Sequence, residues 1–127
     1  MNSVNPPSVV ETAHAVMVSD LLKPAGDVLS SLNPTKINVL HSAVGVCTEA
    51  GELLDAAKKF VFYNKPLDRT NLIEELGDLE FYMQAVRLTV RITREETLEA
   101  NMEKLAIRYR NHLYSDQQAI DRADKDD

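Results

Sequence analysis

From Lys36 to Tyr63 the chain runs without a proline, and its apolar residues recur every three or four positions, the period of a helix face. Ile37, Leu40, Val44, Cys47, Leu54 and Val61 form one stripe. Ala43, Val46, Ala50, Leu53, Ala57 and Phe60 form a second beside it. An apolar arc that wide needs cover on two sides, as in a helical bundle that also pairs with another subunit.

The rest of the chain reads the same way. Four Gly and five Pro in 127 residues are too few for the turns of a β sandwich or barrel. Pro6-Pro7 keeps the first residues out of helix, and Val9 to Leu22 fits a short amphipathic one. Pro24-Ala25-Gly26 ends it, Ser30 to Thr35 is a second break, and Asn64 to Asp68 is a third. Asp68 can cap the next helix, which Leu72, Leu76, Leu79, Met83, Val86 and Val90 carry to about Arg91. Thr93 with Glu96 makes a capping box, and Leu98, Met102, Leu105 and Tyr109 extend a last helix to about His112. The tail from Tyr114, with Asp121, Asp124, Asp126 and Asp127, reads as solvated and frayed. The expected fold is all-α, a compact four-helix bundle with short connections. Its parts are a lead-in with a short helix (1–34), a helical domain (35–113) and an acidic tail (114–127).

Charge narrows the function. Twenty acidic against 14 basic side chains leave a formal charge of −6, which repels nucleic acid, and free nucleotides too unless a divalent cation lies between. With no Trp, four Tyr and three Phe, a stacking platform for single strands is not expected. No apolar run approaches the roughly 20 residues that cross a bilayer, and the N-terminus lacks the pattern of a secretion signal. A lone cysteine, Cys47, reads as a small core residue and points to a reducing compartment, the cytoplasm. Neither a nucleic acid nor a membrane is an expected partner.

Two pairs of acids carry the chemistry. Glu49-Ala50-Gly51-Glu52 lies inside the long helix and Glu75-Leu76-Gly77-Asp78 inside the next. Acids at i and i+3 share a face, and helices joined by a short break pack as antiparallel neighbours, so the pairs can converge. Four converging carboxylates repel unless cations separate them, and hard oxygen donors suit Mg²⁺ or Mn²⁺. A mid-helix glycine costs roughly 1 kcal/mol relative to alanine. Gly51 and Gly77, one in each pair, therefore imply a use, either close helix packing or room for a bulky anion.

This pattern resembles the all-α nucleoside triphosphate pyrophosphohydrolases, the MazG-like superfamily. The similarity rests on Glu49-x-x-Glu52 and Glu75-x-x-Asp78 with their flanks, Val44 to Leu53 and Glu74 to Tyr82. It extends to Ala100-Asn101-Met102-Glu103-Lys104-Leu105-Ala106-Ile107-Arg108-Tyr109, which looks like the family's third motif. It spans about residues 37 to 122. The resemblance implies that Glu49, Glu52, Glu75 and Asp78 hold Mg²⁺ (Mn²⁺ substituting) on the triphosphate. It implies cleavage between the α and β phosphates to a monophosphate and pyrophosphate, with a deoxynucleotide the expected substrate. Metals would neutralise the leaving pyrophosphate and acidify an attacking water; Glu49 is the first choice to take its proton, although the spacing does not single it out. The resemblance also implies a homodimer or homotetramer, in the cytoplasm of a bacterium or a phage-infected host.

Asn101, Lys104 and Arg108 stand at helical spacing and, as family-like residues, would grip phosphate oxygens. Lys59, seven residues beyond Glu52, is a candidate for the pyrophosphate end. Tyr82, one turn after Asp78, is a candidate for the base or sugar pocket. His41, eight residues before Glu49, is a candidate for the nucleoside. Glu74 faces away from Glu75, and Arg87, Arg91 and Arg94 read as a solvated basic face. A di-iron bundle needs two Glu-x-x-His motifs, and only Glu11-x-x-His14 fits. No Gly-rich phosphate loop or nucleophile elbow is present. The competing readings are a phosphoribosyl-ATP pyrophosphohydrolase and a non-enzymatic helical dimerisation module.

Overall fold

In a computed structural model, residues 5–125 are described, and all regular structure among them is helical. The lead-in residues 1–4 and the last two aspartates of the tail, Asp126 and Asp127, lie outside the described residues. The chain divides into two compact units, residues 1–33 and 34–127.

The first unit holds α1 (Val9–Leu21) and α2 (Ala25–Ser31). Ser8 and Glu11 form a capping box, each side chain bonding the other's backbone N–H, so α1 starts where its orphan donors are first satisfied. The break at Pro24-Ala25-Gly26 is not a plain loop. The Pro24 carbonyl accepts from the Asp27 and Val28 N–H groups at 3.1 and 3.3 Å, opening a second short helix. A proline that stops one helix has the φ angle that begins the next, and the apolar pattern over these few residues is too short to reveal it.

The second unit contains α3 (Pro34–Phe62), α4 (Arg69–Val90), α5 (Arg94–Arg108), α6 (Asp116–Asp121) and a 3₁₀ turn, Ala123–Lys125. Asp68 caps α4 by accepting from the Asn71 N–H at 3.0 Å. Arg91, at φ 59°, closes α4 in the left-handed region, with the Ile92 N–H reaching back to the Arg87 carbonyl at 3.1 Å. Thr93 and Glu96 cap α5 as their spacing predicts. However, α5 stops at Arg108, short of His112, because the chain turns at Tyr109 and passes through His112 at φ 54°. Through Lys125 the tail is folded rather than frayed: Ser115 caps α6, and Asp124 is drawn inward onto Arg108.

Within this unit α3 and α4 are the extensively packed helix pair, and α5 lies against the 3₁₀ turn. The α3–α4 seam steps by three and four: Val39, Ser42, Val46, Glu49, Leu53 and Ala56 oppose Leu72, Glu75, Leu79, Tyr82, Val86 and Thr89, all buried or half-buried. That alternation is the geometry of shallow, coiled-coil-like crossing. It corrects the expected core. Ile37, Leu40, Val44, Leu54 and Val61 are exposed, Leu54 to 69%, and Cys47 is exposed rather than in a core. Among the described residues no large apolar side chain is fully buried, so the second unit is a tight helical hairpin with α5 beside its own tail rather than four helices around a shared centre. No described helix is long and apolar enough to cross a membrane.

Candidate functional site

The α3–α4 seam brings three of the four motif acids together. Glu49, Glu75 and Asp78 each offer a carboxylate oxygen, and these lie within 4.8 Å of one another. Glu49 and Glu75 occupy seam positions and are half-buried, while Asp78 opens to solvent. Their placement follows from the antiparallel hairpin, in which residues 49 and 52 of α3 descend past 78 and 75 of α4. The Glu75 carboxyl is held above its ordinary pKa, first by loss of solvation and then by the charges of Glu52, Glu49, Asp78 and Glu74. Glu52 thus acts on Glu75 electrostatically, yet it stands outside the tight trio. It lines an adjoining cavity of about 240 Å³ with Lys59, Lys65 and Glu75.

Hard oxygen donors at this separation could hold a divalent cation such as Mg²⁺ or Mn²⁺, which would offset the neighbouring charges that add to desolvation in raising the Glu75 pKa. Glu49, Glu75 and Asp78 would supply direct oxygens, and Glu52 is placed to add another from the cavity side.

The supporting residues divide. Lys59 borders the site cavity, but its Nζ is 2.6 Å from Asp55, which also takes Lys58 at 3.3 Å. Lys65, which the spacing of the acids does not suggest, lines the same cavity from the α3–α4 connection. Tyr82 lies one turn beyond Asp78 in the seam, with the exposed His41 ring 6.3 Å away across it and Phe81 edge-on at 5.1 Å. Asn101, Lys104 and Arg108 stand on α5, which is not packed along the carboxylate hairpin. Arg108 is instead engaged by Asp124 at 2.6 and 2.8 Å. Of the expected solvated basic face, Arg87 is buried, bonding the Gln84 amide oxygen at 3.3 Å with Glu80 at 3.9 Å.

The glycines also sort themselves. A Cβ at Gly51 or Gly77 would meet nothing within 4 Å, so neither serves close helix packing. Close packing falls at Gly45, where a Cβ would overlap the Tyr82 ring. Nothing in the helical period around residue 45 distinguishes that glycine, because the need for it comes from α4.

The chain matches no family model, no curated protein and no solved structure.

Proposed function

We propose that this protein is a metal-dependent nucleoside triphosphate pyrophosphohydrolase of the MazG-like type, acting on a deoxynucleotide and working as a homo-oligomer. The observation that carries the reading is the meeting of Glu49, Glu75 and Asp78 within 4.8 Å on two helices of one hairpin. Bound Mg²⁺ would supply charge neutralisation for the phosphates and a more acidic water. Glu49, Glu52, Glu75 and Asp78 would hold the cation, and Glu49 would accept the proton of the attacking water. Tyr82, one turn along the seam, and the exposed His41, its ring 6.3 Å from Tyr82, line the nucleoside end, and Lys59 borders the pyrophosphate end. Asn101, Lys104 and Arg108 bind phosphate oxygens, reaching the carboxylates from α5 of a neighbouring copy.

The exposed face of α3 supports the assembly. The exposed stripe Ile37/Leu40/Val44/Leu54/Val61 supplies an apolar surface for a second copy, and two-fold pairing is the commonest closed arrangement.

The test is a panel of ribo- and deoxynucleoside triphosphates, with phosphoribosyl-ATP included, incubated with Mg²⁺ and resolved by chromatography. Monophosphate and pyrophosphate in equal amounts, lost in excess chelator, is the expected result. Orthophosphate as the first product overturns the reaction, and full activity in chelator overturns the metal. Cleavage of phosphoribosyl-ATP alone moves the substrate, and no turnover with no Mg²⁺ or Mn²⁺ binding leaves the helical dimerisation module.

A further inference from the structure

On a chain with a formal charge of −6, three arginines gather where α5 ends and the tail returns: Arg108, Arg110 and Arg122. Arg108 donates through Nε and Nη2 to the two oxygens of Asp124, at 2.6 and 2.8 Å. This two-pronged fit is the one a guanidinium makes with a carboxylate and equally with a phosphate. The Asp124 side chain is 1% exposed and that of Arg108 17%. The carboxylate is delivered by the 3₁₀ turn that comes after α6, and that turn is the element of the tail that packs on α5. Beside the pair lies a polar cavity of about 410 Å³ lined by Arg108, Arg110, Gln118, Asp121 and Ala123. The buried Oε1 of Gln118, which lines it, has no hydrogen-bond partner; as an acceptor it can be met by a phosphoryl group only through a protonated oxygen.

We propose that Asp124 is a built-in stand-in for phosphate: it occupies the Arg108 fork until a phosphoryl anion entering the adjoining cavity displaces it and frees the tail from α5. The inference rests on the reading of Arg108 as a phosphate-binding residue and adds to it a competitor carried on the same chain. The exchange favours a polyphosphate because it brings more charge and more oxygens to Arg108 and Arg110 than one carboxylate can. Asp121, on the wall of the same cavity, opposes an incoming anion, and its carboxylate is partly occupied by the Gln117 amide at 2.6 Å. A weakly charged anion therefore leaves the pair closed. Regulation of this kind sets a threshold on anion binding without any second protein.

Calorimetric titration with inorganic pyrophosphate in excess chelator tests it, because without a cation the carboxylates of α3 and α4 cannot hold an anion. Asp124→Asn should bind pyrophosphate about tenfold tighter than the unaltered chain, the worth of roughly one charge-assisted hydrogen bond. Adding Arg108→Gln to that variant should abolish the binding. In the unaltered chain, saturating pyrophosphate should speed amide hydrogen exchange over residues 115–125. A nucleoside triphosphate titrated alongside identifies the occupant: tighter binding of pyrophosphate marks the product and tighter binding of the triphosphate the substrate, and either supports the exchange. Equal pyrophosphate affinity with and without the Asp124 carboxylate overturns it and leaves the pair as a brace. If Asp124→Asn does not fold, unchanged exchange in the unaltered chain at saturating pyrophosphate overturns it equally. A chain that turns over no nucleotide refutes the pyrophosphohydrolase reading, while the chelator titration still decides this one.

Discussion

Gly45 on α3 and Tyr82 on α4 meet across the seam so closely that the tyrosine ring occupies the volume a methyl group on Gly45 would need. The contact sets how near the two helices lie and therefore how near their carboxylates come. Gly45→Ala should destabilise the protein by about 1–3 kcal/mol, the usual penalty of overpacking a tight contact. Thermal melts of Gly45→Ala, Tyr82→Leu and the double variant form the check. The double variant should lose less than the sum of the singles, and strict additivity would mean that the ring moves aside freely.

Glu75→Gln should abolish turnover and raise the melting temperature of the metal-free protein. The sign comes from its raised pKa, caused first by desolvation and then by Glu52, Glu49, Asp78 and Glu74. A carboxyl held above its ordinary value costs stability wherever it is ionised, and that cost vanishes as pH falls through its folded pKa. The gap in melting temperature between Glu75→Gln and the unaltered chain should therefore be wide at neutral pH and close in acid. Mg²⁺ should close it as well, by lifting the unaltered chain alone. Glu74→Ala should affect turnover far less, as its side chain is exposed and outside the acidic trio.

Acid should release the tail before it unfolds α3 and α4. Arg108 holds the Asp124 carboxyl down to about 2, against about 3.9 for an unconstrained aspartate. A lowered carboxylate contributes stability that is present above the ordinary value and lost as pH falls toward the folded one. Hydrogen exchange across residues 115–125 should accelerate as pH drops from about 4 toward 2, after correction for intrinsic rates. In Asp124→Asn the same residues should exchange rapidly throughout and show no such step.

Light scattering at micromolar concentration should find a species larger than the 14.2 kDa chain. Replacing Leu40 and Val44, both exposed on the α3 stripe, by Glu should shift it to the monomer. Each large side chain that loses burial forfeits roughly 1.5–3 kcal/mol, and each new carboxylate adds a desolvation penalty. A monomer in the unaltered chain would mean that this stripe is not an interface.

The sequence makes legible whatever a residue decides with its near neighbours. Asp68, Thr93 and Glu96 bond backbone groups within one turn, so the starts of α4 and α5 can be read from the letters alone. The convergence of Glu49 with Glu75 and Asp78 is legible because helical spacing and a short connection determine it. The choice of inner face is not. Ile37, Leu40 and Val44 are apolar at helical spacing, yet the seam takes Val39, Ser42 and Val46, and only at Gly45, under the Tyr82 ring, does the close approach demand a missing side chain. Nor is the Arg108–Asp124 pair legible, since sixteen residues and a change of direction separate its partners.

The carboxylates sit on one helical hairpin, joined through residues 63–68. Such a hairpin closes over a short loop, so it is among the earliest tertiary structures a chain of this kind can form. If that hairpin forms first, the repulsion among Glu49, Glu52, Glu75 and Asp78 is met before the rest of the molecule is in place. A screening cation would act on the rate at which the chain folds more than on the rate at which it opens, and the ionic composition around the nascent chain would govern how much of the protein matures at all.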